Sequence, residues 1–261
     1  MFLPVYKYHP KPDHNTYTQI YAKADPGIYP LAQSAEESNG NSDEHSQNTE
    51  SVSAFYCIVA LPMRVFVMNT HSRNHGKGIA WAANKLGCKS VVFMPKGSVL
   101  ARAKAIESMG NSTVTITDLN YDDAVRKAAS LADEKGWYLV QDTAWEGYED
   151  IPTWIMQGYG TMGLEAQEQL PEKPTHIFLQ AGVGSMAGAV TGLFSAIYGE
   201  DRPVITIVEP NKADCLYRTA EANDGERHFV TGDMNTIMAG LACGEPCSIG
   251  WKILSDYADH F

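Results

Sequence analysis

Between Asn74 and Val208 the chain alternates short apolar strand segments with helical ones, and that alternation restricts the fold more than any other feature. Ile79-Ala80-Trp81-Ala82-Ala83 with Leu86 predicts a helix closed by Gly87, and residues 90–94 predict a strand ended by Pro95-Lys96-Gly97. A helix over 101–109, a β-branched strand over 113–117 and a helix over 122–134 stopped by Gly136 follow. Residues 137–140 read as a strand, 153–170 as a helix, 177–180 as a strand, 187–198 as a helix and 204–208 as another buried strand. Strands joined through helices pair in parallel and need helices on their faces, so the expectation is an α/β fold with largely parallel sheets. Ligands in such folds sit at the carboxyl ends of the strands, which directs attention to the loops at Pro95, Asp142, Ala181 and Glu209.

The loop at Ala181 is the most distinctive of these. Gly182-Val183-Gly184-Ser185-Met186 lies between the strand and a helix that starts at Ser185. Glycines let the main chain approach an anion, and the first helical turn adds N–H donors and the positive end of its dipole. A phosphorylated cofactor fits this pattern; so does a tight strand-to-helix turn that binds nothing. A third reading takes Gly182-x-Gly184-x-x-x-Gly188, with Glu209 ending the next strand, as a dinucleotide site of an NAD(P)-dependent oxidoreductase, although Ser185 suits a compact monophosphate better. Asn74 in Asn74-His75-Gly76-Lys77-Gly78 either caps its helix or holds a cofactor oxygen. Asp142, in QDTAWEGY, meets a substrate ammonium, caps the helix near Thr153 or pairs with a nearby base.

The composition narrows the partners. A formal net charge of -11 argues against nucleic acid or an anionic membrane surface. The longest apolar run, residues 54–68, is broken by Pro62 and Arg64 and is too short to cross a bilayer. Five scattered cysteines and no charged, apolar leader suggest a cytoplasmic, reduced setting, and Cys243 with Cys247 lacks the further ligands of a zinc site, so no metal is expected. Residues 34–53 hold only Ala35 and Val52 as apolar residues and no Lys or Arg, the composition of a disordered segment.

The strings NHGKGIAWAANKLG, QDTAWEGYEDIPTWIMQGYGTMGLEA, QAGVGSMAGAV, VEPNKADCLYR and GDMNTIMAGLACGEPCSIGWKIL together resemble diaminopropionate ammonia-lyase, a pyridoxal-phosphate family with the tryptophan synthase β-like fold. The resemblance runs from about Asn74 to Leu254. It implies a two-domain fold with pyridoxal phosphate in the cleft, a homodimer, a small amino-acid substrate, and α,β-elimination of 2,3-diaminopropionate to pyruvate and ammonia. Position by position, it gives Asn74 a hydrogen bond to the cofactor's phenolic oxygen, gives Gly182, Val183, Gly184, Ser185 and Met186 the phosphate, and turns Asp142 toward the substrate's amino group. The domains it suggests are a segment of uncertain structure over 1–68, a small cofactor domain over 69–151 and a partial larger domain over 152–261.

The chain departs from that family at both ends. Family members carry the Schiff-base lysine in an Asn-x-Phe-Lys segment upstream of the Asn-His-Gly helix; here only Lys7, Lys11 and Lys23 precede Asn74, none with those neighbours. Where the family has Thr-Asp-Gly before this asparagine, the chain has His71-Ser72-Arg73. The family also continues past the Gly250-Trp251 helix into further strands and a serine segment near the cofactor ring. These departures lead to the expectation of a truncated or mis-spliced product, with residues 54–70 translated from sequence that is not normally coding and with little or no lyase activity, or else of a non-catalytic cofactor-binding pseudoenzyme.

Overall fold

The computed structural model describes residues 65–69 and 73–261, so the disorder expected for 34–53 lies outside the described residues. The chain divides into two compact units between Gln141 and Asp142.

The first described unit is built on β1 (Val65–Asn69), whose Phe66, Val67 and Met68 are fully buried. A strand buried on both faces must be covered by helices, and the unit supplies α1 (Arg73–Lys85), α2 (Leu100–Glu107) and α3 (Tyr121–Lys135). With β2 (Lys89–Met94), β3 (Ser112–Ile116) and β4 (Tyr138–Leu139) it forms a parallel sheet of order β3-β2-β1-β4. Phe66 is paired with Ser90 on one side and Tyr138 on the other. Residues 65–69 are therefore integral to the fold, which counts against the expectation of a non-coding origin for that part of 54–70; residues 54–64 and 70 lie outside the described residues. The periodic alternation began only at Asn74, and a single five-residue apolar strand carries no period to distinguish it from stray apolar sequence.

Helix starts differ more than helix ends. Helix α1 begins at Arg73, six residues before the predicted Ile79, because Gly76 and Gly78 are buried and tertiary packing overrides their poor helix propensity. Asn74 thus lies inside the first turn. Helix α3 begins under an Asn120 cap, whose side chain accepts from Asp123 N at 2.8 Å, and ends at Gly136 with φ 64°, the left-handed stop anticipated there.

The second unit has a two-stranded parallel sheet, β5 (His176–Gln180) and β6 (Val204–Val208), with helices α4 (Asp150–Gln169), α5 (Ser185–Tyr198), α6 (Cys215–Ala222) and α7 (Ser248–Tyr257). Helix α5 is buried along almost its whole length from Ser185 to Ser195, as a helix apolar on all sides must be. Small residues on α5 let α7 come close: a Cβ added at Gly188 would lie 2.9 Å from Gly250 Cα, and one added at Gly250 would lie 2.7 Å from Gly184 O. The chain end docks on β6, where Asp259 takes a two-pronged bond from Arg202 at 2.7 and 3.1 Å and a third from Ile205 N at 2.8 Å. Burial alone would raise the Asp259 carboxyl, but these bonds outweigh it and hold the group below its usual range.

Gly250→Ala forces backbone apart at α7, and overpacking of this kind costs about 1–3 kcal/mol. Urea denaturation should show that loss, whereas Gly240→Ala, where an added Cβ meets nothing within 4 Å, should leave the midpoint in place.

Candidate functional site

The strand β5 delivers the chain into Gly182-Val183-Gly184, and α5 starts at Ser185. Gly184 has φ +93°, a conformation only glycine adopts without strain, and its missing side chain leaves room beside Leu216 and Leu254. Gly182 is tightly packed too, since a Cβ there would stand 3.1 Å from Cys243 Sγ. The loop is braced from outside: Ala181 N donates to Val208 O at 2.9 Å and Cys247 N to Val183 O at 2.7 Å. The Cys215 thiol reaches Gly182 O at 3.7 Å.

Among the described residues, nothing accepts a hydrogen bond from the N–H groups of Gly182 through Ala187; the next amide, Gly188 N, bonds to Gly184 O at 2.8 Å. Helix α5 also has no side-chain cap. A helix start that keeps its N–H groups uncommitted inside a packed unit, behind a glycine that must be a glycine, has the chemistry of an anion cradle. A phosphate group therefore fits the residues present.

Asp142 lies just after the first unit's last strand and is half-buried. Its carboxylate accepts from the Tyr159 hydroxyl at 3.1 Å, and its main-chain oxygen accepts from the Ser185 hydroxyl at 2.5 Å. Helix α4 starts at Asp150 under Glu149, so the alternative in which Asp142 caps that helix is excluded. Beyond it, Trp145 and Tyr148 close a tight turn through two main-chain bonds, with stacked rings 4.5 Å apart and Gly147 at φ +84°. The structure thus joins Asp142 to Ser185 of the glycine loop. Asn74 belongs to the first unit, exposed in the first turn of α1.

Glu209 is committed elsewhere. Its Oε1 accepts from Leu216 N at 3.0 Å and its Oε2 from Tyr217 N at 2.7 Å, so it caps α6. Both oxygens are engaged by these amides, which counts against the ribose-binding role that the dinucleotide reading required. Burial pushes its carboxyl up to about 8, although the two amide bonds favour the charged form.

Three residues escaped the sequence reading. Tyr159 was hidden inside a long helical pattern, Gly250 in what read only as a helix segment, and Cys247 was weighed only as half of a metal pair. Among the described residues no group of three His, Cys, Asp or Glu side chains is placed to hold a metal ion.

Residues 64–261 match the family described as pyridoxal-phosphate dependent enzyme. The chain belongs to that family. It is 59% identical over 201 residues to a diaminopropionate ammonia-lyase of Salmonella typhimurium, covering 76% of this chain and 49% of the relative. The Escherichia coli K12 enzyme of the same name is 48% identical over 222 residues, 84% of this chain and 55% of that one. A crystal structure of Escherichia coli diaminopropionate ammonia lyase in complex with an aminoacrylate-PLP azomethine reaction intermediate superposes with a TM-score of 0.72 at 44% identity, covering 82% of this chain and 58% of that one. The family assignment carries the tryptophan synthase β-like fold anticipated from the motifs. This chain spans about half the length of the curated relatives it matches. No helix among the described residues is long and apolar enough to cross a membrane.

The native Glu209 holds a proton that the unfolded chain releases at 4.5, so its contribution to stability is complete below 4.5 and is lost as pH rises through about 8. Glu209→Gln should flatten the fall in melting temperature between pH 5 and 8.5; an equally steep fall in both proteins would contradict the raised carboxyl.

Proposed function

We propose that this chain is the cofactor-anchoring part of a pyridoxal-phosphate-dependent diaminopropionate ammonia-lyase, acting by α,β-elimination of 2,3-diaminopropionate to pyruvate and ammonia. The observation that carries the proposal is the uncommitted row of N–H groups from Gly182 to Ala187 at the start of α5. The main-chain N–H groups of Gly182, Val183, Gly184, Ser185 and Met186 hold the phosphate, while Gly184 keeps the backbone close to it. Once bound, pyridoxal phosphate supplies the electron sink that stabilises the carbanion formed on loss of the substrate's Cα proton. Asp142 orients the substrate's amino group, with its carboxylate steadied by the Tyr159 hydroxyl. The resemblance assigns Asn74 the hydrogen bond to the cofactor's phenolic oxygen, and it makes the working protein a homodimer. We infer a cytoplasmic setting, supported by the buried free thiols of Cys88, Cys215, Cys243 and Cys247.

The absence of any lysine between Lys23 and Asn74 supports a second element of the proposal: this chain docks the cofactor without the family's covalent lysine and turns substrate over slowly or not at all. A lysine amine that exchanges with substrate and then carries a proton contributes orders of magnitude to such a reaction.

Fluorescence titration of the full chain with pyridoxal phosphate should show saturable binding that Gly184→Val weakens by about tenfold or more, since a branched side chain at φ +93° strains the loop and presses on Leu216 and Leu254, displacing the backbone that carries the N–H groups. Equal affinity in the two proteins would remove the loop from the site. Borohydride treatment of the loaded chain should give no pyridoxyl group mapped to a single lysine, and pyruvate release should be undetectable. Robust pyruvate release with one labelled lysine, such as Lys77, would refute the second element.

A further inference from the structure

The Ser185 hydroxyl carries one hydrogen, and the structure spends it on Asp142. Ser185 is 2% exposed, at the first position of α5, and its Oγ donates to the Asp142 main-chain oxygen at 2.5 Å. The oxygens of a fully ionised phosphate accept hydrogen bonds and donate none, so this hydroxyl could serve such a phosphate only by releasing Asp142. The cradle has no need of it, because six main-chain N–H groups are already uncommitted there.

The same short segment is gripped a second time by Cys247. Its Sγ accepts from Ala144 N at 3.4 Å and from Gly250 N at 3.4 Å, while its own N–H donates to Val183 O at 2.7 Å. The next amide, Ser248 N, donates to Ala144 O at 3.1 Å. One residue at the start of α7 therefore ties the 142–144 segment, the glycine loop and its own helix together, and the full burial of its thiol raises its pKa and keeps it protonated. The close backbone approach of Gly250 to Gly184 is what allows Cys247 to reach all three.

We propose that Ser185 and Cys247 are positioning residues for Asp142, and that the Ser185 hydroxyl holds the Asp142 segment onto the loop while the phosphate is bound by main-chain N–H groups alone. The inference rests on the reading of the loop as a phosphate cradle, and it assigns the loop's one polar side chain to orienting the substrate-facing acid. Occupancy of the cradle and the placement of Asp142 are then independent: filling the first leaves the clamp on the second intact.

Amide hydrogen exchange of the 142–146 segment in the full chain reads the clamp, and fluorescence titration with pyridoxal phosphate reads the cradle. Ser185→Ala should speed exchange in that segment by about fivefold or more, the factor that loss of one hydrogen bond supplies, with cofactor affinity within about threefold of the parent. Ser185→Thr, which keeps a hydroxyl, should restore slow exchange. In the unaltered chain, inorganic phosphate should leave exchange in 142–146 unchanged. Faster exchange on adding phosphate, or a loss of about tenfold or more in cofactor affinity in Ser185→Ala, would make the hydroxyl a phosphate ligand and overturn the proposal. If the unaltered chain binds no pyridoxal phosphate, the functional reading fails by itself, while the exchange of Ser185→Ala still decides whether the clamp exists.

Discussion

The contact on which the second unit depends is between two backbones. Gly250 of α7 packs so close to Gly184 that a single added carbon would stand 2.7 Å from a carbonyl oxygen. Side chains cannot mediate at that distance, so the position of α7 directly sets the shape of the glycine loop. The loop's conformation is reinforced by Cys247 N holding Val183 O and by the left-handed Gly184. From that fixed shape follows the feature with chemical meaning: a helix start whose N–H groups find no acceptor among the described residues. Donors held in a fixed backbone bind an anion without the cost of ordering them first.

The surrounding polar groups divide into those that build the cradle and those left for chemistry. Glu209 spends both oxygens on the start of α6, and that helix brings Leu216 against Gly184. Cys215 and Cys243 pack around Gly182 as small apolar bodies. Asp142 is held through its main chain by Ser185 and through one carboxylate oxygen by Tyr159. In the proposed reading, this acid, held from two sides beside the glycine loop, meets the substrate's amino group.

Much of this was legible before the structure. The 3.6 and 2.0 periods place most elements to within a few residues, and the strand, glycine and serine order marks the loop, because those signals are local. The central strand Val65–Asn69 was missed: its evidence is its pairing with β2 and β4, which is nonlocal. Glu209 looked like a ribose-binding acid because strand-end position is visible in sequence while the α6 amides that consume it are seven and eight residues away in a turn. Cys247 and Tyr159 matter through partners more than ten residues distant, and no spacing rule reports those.

The central claim is that the main-chain start of α5 binds a phosphate group, and the cleanest test compares pyridoxal phosphate with pyridoxal in calorimetric titrations of the full chain. The two ligands share the pyridine ring and differ at the 5′ position, a phosphate ester in one and, in the other, a hydroxyl that closes on the aldehyde as a hemiacetal. The account predicts that removing the phosphate weakens binding by about 100-fold or more, since each tenfold corresponds to only about 1.4 kcal/mol and the cradle offers several charge-assisted hydrogen bonds. Equal affinity for the two would contradict it.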